Sequence, residues 1–122
     1  MFYKDMKIWQ RSMDLVVETY KVTAFLPKEE QYGLVSQMRR AAVSIPSNIA
    51  EGQSRHTIKE YLNFLSIAKG SKSELETQLE ICIRLGFLKR EQASNAQALC
   101  DEVGKMLYVI IVKLQENRIK EV

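Results

Sequence analysis

The sequence is short both of residues that interrupt helices and of residues that do chemistry. Its 122 residues include two prolines, five glycines, two cysteines and one histidine. So little proline and glycine leaves few, short loops, which suits long helices joined by brief turns. One histidine excludes a two-histidine metal site within a chain. Cys82 and Cys100 fit no close-spaced metal or redox pattern. Both fall in apolar helical patterns, where a free thiol acts as a small hydrophobe, and this usage fits a reducing compartment. The longest apolar run, Met106 to Val112, has seven residues. A membrane-spanning helix needs roughly 20. The opening MFYKDMKIWQ lacks the apolar core of a secretory leader. These features lead us to expect a soluble, cytoplasmic protein.

Catalytic signals are also missing. No glycine-rich phosphate loop follows a strand, because no convincing strand is present. Ser44 and Ser47 have no general base nearby in sequence and read as packing or capping residues. Glu51, Glu74, Glu76 and Glu80 resemble the carboxylates of a di-iron bundle. Such a site needs Glu-x-x-His on two helices, and here no Glu is followed three residues later by His. Surface ion pairs are the simpler reading of these acids. His56 reads as a solvated residue at the turn before Thr57. The expectation is a non-enzyme with no catalytic residue, metal or cofactor.

What is present reads as one domain over residues 1–122. Apolar residues make up 46% and charged residues 27%, ordinary for a globular chain of this size. Ile8, Leu15, Val22 and Leu26 make the seam of a first helix, expected from an Asp5 N-cap to about Phe25 before Pro27. Glu29 and Glu30 are expected to open a second helix, with Leu34, Met38, Ala41 or Ala42, Ile45 and Ile49 inward. Pro46 falls inside that pattern and predicts one kinked helix rather than two. Gly52 is expected to end it in a left-handed cap. Thr57-Ile58-Lys59-Glu60 matches a capping box. From there Ile58, Tyr61, Leu65, Ala68, Lys72, Leu75, Leu79, Cys82 and Gly86 follow 3-4 spacing. Lys72 on that seam must reach solvent or find a carboxylate, with Glu51 and Glu76 as candidates. Gly70, Ser71 and Ser73 leave room for a neighbouring backbone.

A fourth helix is expected from Lys89 or Arg90 to Asn117. Its stretch 106–112, MLYVIIV, is apolar all round, so it is expected to be buried on more than one side. The surplus face, Tyr108, Val109, Ile111 and Val112, is a candidate subunit seam. Short loops give an all-α, antiparallel up-and-down four-helix bundle with its second helix kinked at Pro46.

Charge marks one stretch. The net charge is +3, and residues 32–56 hold Arg39, Arg40 and Arg55 against Glu51 alone. Arg39 and Arg40 point about 100° apart on a helix. Either could bind phosphate or pair with a carboxylate across a subunit seam.

The string SQMRRAAVSIPSNIAEG, Ser36 to Gly52, closely resembles a signature of the four-helix-bundle proteins encoded in intervening sequences of bacterial 23S ribosomal RNA. EYLNFLSIAKGSKSELETQL, Glu60 to Leu79, resembles their second signature. The opening DMKIWQRSMDLVVETY and the turn FLPKEEQYGL look similar too. The resemblance implies an antiparallel bundle that assembles as a homopentameric ring. It is also similar to the accessory protein of diversity-generating retroelements, which implies binding of structured RNA or DNA and of a nucleic-acid enzyme. Five copies would carry a net charge of about +15 and repeat Arg39, Arg40, Arg55 and Lys59, the candidate nucleic-acid contacts, around the ring. The competing reading is a scaffold that docks a partner helix or enzyme on the apolar stretch 106–112.

Overall fold

The computed structural model describes residues 2–121, with side chains up to residue 119. Four helices make up the bundle: α1 (Lys7–Thr23), α2 (Ser36–Gln53), α3 (Ile58–Arg84) and α4 (Arg90–Glu121). Each packs on its neighbour in sequence, and α1 closes the ring by packing on α4. Among the described residues no strand forms. The core contains Leu15, Met38, Ile45, Ile49, Leu65, Leu75, Leu79 and Leu107, all inaccessible to solvent.

Ile8, Leu15, Val22 and Leu26 are buried as the periodicity predicts. Between them lie buried Ser12, Thr19 and Thr23, which a purely apolar pattern passes over. Each hydroxyl donates to the carbonyl four residues back, on Ile8, Leu15 and Thr19, at 2.7 Å. A hydroxyl satisfied by its own helix presents little polarity to the core, so these three positions pack as small hydrophobes.

Several element ends differ from expectation. Asp5 is not the N-cap of α1: it closes a 3-10 turn over Tyr3–Asp5, and Met6 caps α1 without a side-chain bond. The turn takes Asp5 into its own bonding, with its N–H on the Phe2 carbonyl at 3.0 Å. Glu29 and Glu30 lie in a second 3-10 turn, followed by a π turn, Gln31–Val35, before α2 begins. Glu30 still serves the helix start: its Oε1 accepts from the Leu34 N–H at 3.3 Å. Helical geometry breaks at Gly33, with φ −112° and ψ −110°.

Helix α2 runs through buried Pro46 as one element. Proline has no N–H to give the Ala42 carbonyl. Ser44 is engaged elsewhere, accepting from Asn48 Nδ2 at 2.9 Å and from Ser71 Oγ at 2.8 Å. Thr57 caps α3, its Oγ1 accepting from the Glu60 N–H at 3.1 Å. The return bond of the capping box does not reach backbone; the hydroxyl donates to Glu60 Oε1 at 3.0 Å.

Of the two glycines expected to end helices, Gly86 does so and Gly52 does not. Gly52 is no cap: it lies buried inside α2. A Cβ there would meet Phe64 Cβ at 2.9 Å and Tyr61 Cδ1 at 3.0 Å. Gly52 therefore lets α3 approach α2. Gly86 is the left-handed residue, with φ 78°. Its N–H reaches the Ile83 carbonyl and that of Phe87 reaches Cys82, the paired bonds of a Schellman motif. Gly70 faces open space on α3, with nothing within 4 Å of an added Cβ.

These two environments predict opposite outcomes for one substitution. Gly52→Ala overpacks the α2–α3 contact and should destabilise the fold by about 1–3 kcal/mol. Gly70→Ala, made in solvent on a helix, should stabilise by up to about 1 kcal/mol. Urea midpoints of the two variants check this, and equal midpoints would remove the close-approach role of Gly52.

Candidate nucleic-acid interface

The guanidinium groups that stand out in the sequence are largely engaged inside the monomer. Arg39 folds back on the end of α1, where its Nε donates to Thr23 Oγ1 at 2.9 Å and its charge lies 4.4 Å from the Tyr20 ring centroid. A cation here also meets the negative end of the α1 dipole. Arg55 pairs with Glu51 at 2.6 Å and lies 4.8 Å from the centre of the Phe64 ring. Arg40 and Lys59 are exposed and have no ion-pair partner among the described residues. The helix between them separates them: Arg40 and the end of α2 are about 20 Å apart along the axis. The four candidate contacts thus do not form one patch. His56 is exposed in the turn between α2 and α3.

Positive charge gathers instead along α4, in the grooves it makes with α1 and with α3. One groove, between α1 and α4, is lined by Lys7, Lys105 and Lys113 over Met106, Val109 and Ile110. A second, between α3 and α4, is lined by Lys69, Lys72, Lys105, Tyr108 and Val109, with Asp101 at its edge. Lys105 and Val109 belong to both, so the grooves form one surface. Lys7, Lys69, Lys105 and Lys113 make no ion pair among the described residues.

Lys72 resolves as the seam position predicts. Its Nζ meets Glu76 Oε1 at 2.7 Å, and its side chain keeps 17% of its exposure. Gly104 makes room for it: a Cβ there would lie 3.2 Å from Lys72 Cε and Nζ.

Glu102, a neighbouring acid, is held by another partner. Arg11 grips Glu102 with two bonds, Nε to Oε1 at 3.0 Å and a terminal nitrogen to Oε2 at 2.8 Å. That bonding holds the Glu102 carboxyl below its ordinary range, with Lys7 adding to the effect.

The apolar stretch 106–112 divides. Leu107 is buried, and Met106, Ile110 and Ile111 pack against the bundle's own core. Val112 is half-buried, while Tyr108 and Val109 stay 67% and 51% exposed. Of the candidate seam, those last two face solvent, and they sit among the lysines. Other apolar side chains are exposed along α3: Ile67, Ile81 and Leu85.

Sequence reasoning did not find the lysine surface. Lys105 and Lys113 are eight residues apart on one helix, a spacing visible in advance. Lys7 and Lys69 join them only once α1 and α3 have packed on α4.

Comparison with known proteins adds the lineage. The family model for the 23S rRNA-intervening sequence protein matches residues 4–109. The chain belongs to that family. A solved structure from Bacteroides thetaiotaomicron, described as a protein of unknown function from the S23 ribosomal protein family, is similar throughout. It is 28% identical with a TM-score of 0.79, covering 85% of this chain and 97% of that one. No curated protein matches the sequence. The segment matched by the family model includes Lys7, Lys69, Lys105 and Tyr108; Lys113 lies beyond it.

Both thiols are buried and raised. Burial, then the Glu30 charge, pushes Cys82 up to about 11. Burial, then the Glu76 charge, pushes Cys100 up to about 12; Lys72 pulls the other way and Asp101 adds a still smaller push. Both stay protonated near neutrality, so alkylation of the native protein at pH 8 should be slow and should accelerate on unfolding. Above about pH 9 the unfolded chain loses these protons first. Stability should therefore fall as pH rises from the ordinary thiol value through about 11 for Cys82 and about 12 for Cys100. Urea titrations at pH 8 and pH 10 on the native chain and on a Cys82→Ala, Cys100→Ala variant would reveal it. An identical pH dependence in both would remove the thiols as its cause.

Proposed function

We propose that this family member is a non-enzymatic, self-assembling protein that binds structured nucleic acid, RNA in the first instance, through the lysine surface of α1, α3 and α4. The observation that carries the reading is the convergence of Lys7, Lys69, Lys105 and Lys113 on one surface without carboxylate partners. Lysines left to solvent release counterions when phosphates replace them, and this term drives nucleic-acid binding. Arg40 and Lys59 add outlying contacts. Arg39 and Arg55 support the fold first, because each already bonds a neighbour and lies over a ring.

Self-assembly is the second part of the reading, with the homopentamer as its reference stoichiometry. Exposed Ile67, Ile81 and Leu85 on α3 support it, with Gly70 between them open to a close neighbour. At Tyr108 and Val109, two copies meeting face to face would oppose their lysines, which disfavours a two-fold contact there. The scaffold reading has its own support in the groove floor of Met106, Val109 and Ile110. An amphipathic helix with acidic flanks would fit it.

Gel shifts with a structured RNA across a salt series test the proposal. The wild type should bind at low salt and weaken as salt rises. Lys105→Glu with Lys113→Glu should weaken binding at least tenfold. It should also flatten the salt slope by about 0.7–0.9 for each phosphate the variant no longer engages. Binding that ignores salt, or survives both reversals, refutes the assignment. Mass in solution tests assembly in parallel: the wild type should exceed one chain, and Ile81→Glu should reduce it. A wild-type mass of one chain at micromolar concentration refutes self-assembly.

A further inference from the structure

We infer that the lysine surface takes unpaired nucleotides, with a base stacked on Tyr108 and the flanking phosphates held by Lys69 and Lys105. This rests on the nucleic-acid reading and names the form of the ligand. The starting observation is that Tyr108 is exposed and uncovered. Other aromatic rings in the bundle have partners: Arg39 lies over Tyr20, Arg55 over Phe64, and Tyr3 packs edge-on to Trp9. Among the described residues no cation or aromatic ring covers Tyr108.

Its setting separates it from Phe25 and Tyr32, exposed rings that line neither lysine groove. Tyr32 is 96% exposed, but it follows Glu29 and Glu30, whose charges repel phosphate. Tyr108 shares its groove with Lys69, Lys72 and Lys105. The space over Gly104 is taken by Lys72, but the Tyr108 ring is itself 67% exposed, and Val109 next to it is short. A flat base can therefore lie against the ring without a wall to displace. Lys69 on α3 and Lys105 on α4 line the groove of Tyr108 from its two walls. Phosphates on both sides of one stacked nucleotide can then meet a cation.

A duplex gains nothing from Tyr108, because its bases are already stacked and its phosphates need charge alone. An unpaired base gains a π face, and every base has one to offer. Asp101 at the groove edge repels phosphate and can accept from a base N–H. It therefore favours a base over backbone at that point.

The test compares a short single strand with its own duplex by fluorescence anisotropy at low salt, using the full chain. The single strand should bind at least tenfold more tightly. Tyr108→Ala should weaken single-strand binding about tenfold or more and leave the duplex little changed. Tyr108→Phe should retain binding, and Tyr32→Ala should not alter it. Circular dichroism melts confirm that each variant is folded. Equal affinity for both forms, or indifference to Tyr108→Ala, overturns the stacking site while leaving nucleic-acid binding intact. A wild type that binds neither form overturns both readings. Capture of poly-glutamate with no nucleic-acid binding likewise overturns both, in favour of an acidic protein partner.

Discussion

Lys7 and Lys113 stand near opposite ends of the chain and line one groove because α1 packs back on α4. Apolar burial makes that closure: Ile8 and Leu15 on α1, and Val103 and Leu107 on α4, leave water together in a single core. The two-bond grip of Arg11 on Glu102 joins the same helices at the surface. Both groups are about a third exposed, so the pair sets register more than it adds stability. Without the apolar closure the lysines would be scattered charges on separate helices. The surface thus depends on a packing event in which its lysines take no part, although Ile8, Met106 and Ile110 both pack on the core and line the groove.

The division of labour between the two basic side chains follows from their chemistry. An arginine fork makes several directed bonds at once and stacks on rings. Within the monomer Arg11 makes several bonds at once, to Glu102 and Asp14, while Arg39 and Arg55 combine a hydrogen bond with a ring. A lysine is a compact, strongly hydrated charge on a flexible stem. Such a group stays in water and meets phosphate at little geometric cost. Lys72 is the exception, because it starts on the α3 seam and needs both Glu76 and the bare backbone of Gly104.

Helix number, order and core were legible in the sequence, because each rests on spacing within one helix. Leu65, Leu75 and Leu79 lie where the 3-4 pattern puts them, and the family strings point to the same bundle. Roles that depend on a second helix were not legible. Gly52 has the sequence context of a cap, yet Phe64 and Tyr61 from α3 decide its use. Arg39 looks free until α1 ends beside it. Ser12, Thr19 and Thr23 read as polar until their hydroxyls turn back on their own helix. The basic surface belongs to this second kind, since three helices contribute to it.

Binding and assembly need each other under the proposed reading. A surface with a handful of lysines on a chain of net charge +3 is weak alone. Non-specific binding of that kind lies at about 10⁻⁴–10⁻⁶ M. Copies held in one particle turn the second contact into an intramolecular one, which can raise affinity by about 10²–10⁴ without any new interaction. That gain requires the lysine surfaces to remain open when copies meet. Ile67, Ile81 and Leu85 are carried by α3, while Lys7, Lys105 and Lys113 belong to α1 and α4. A seam built on that α3 stripe would join subunits and leave the α1–α4 groove facing outward.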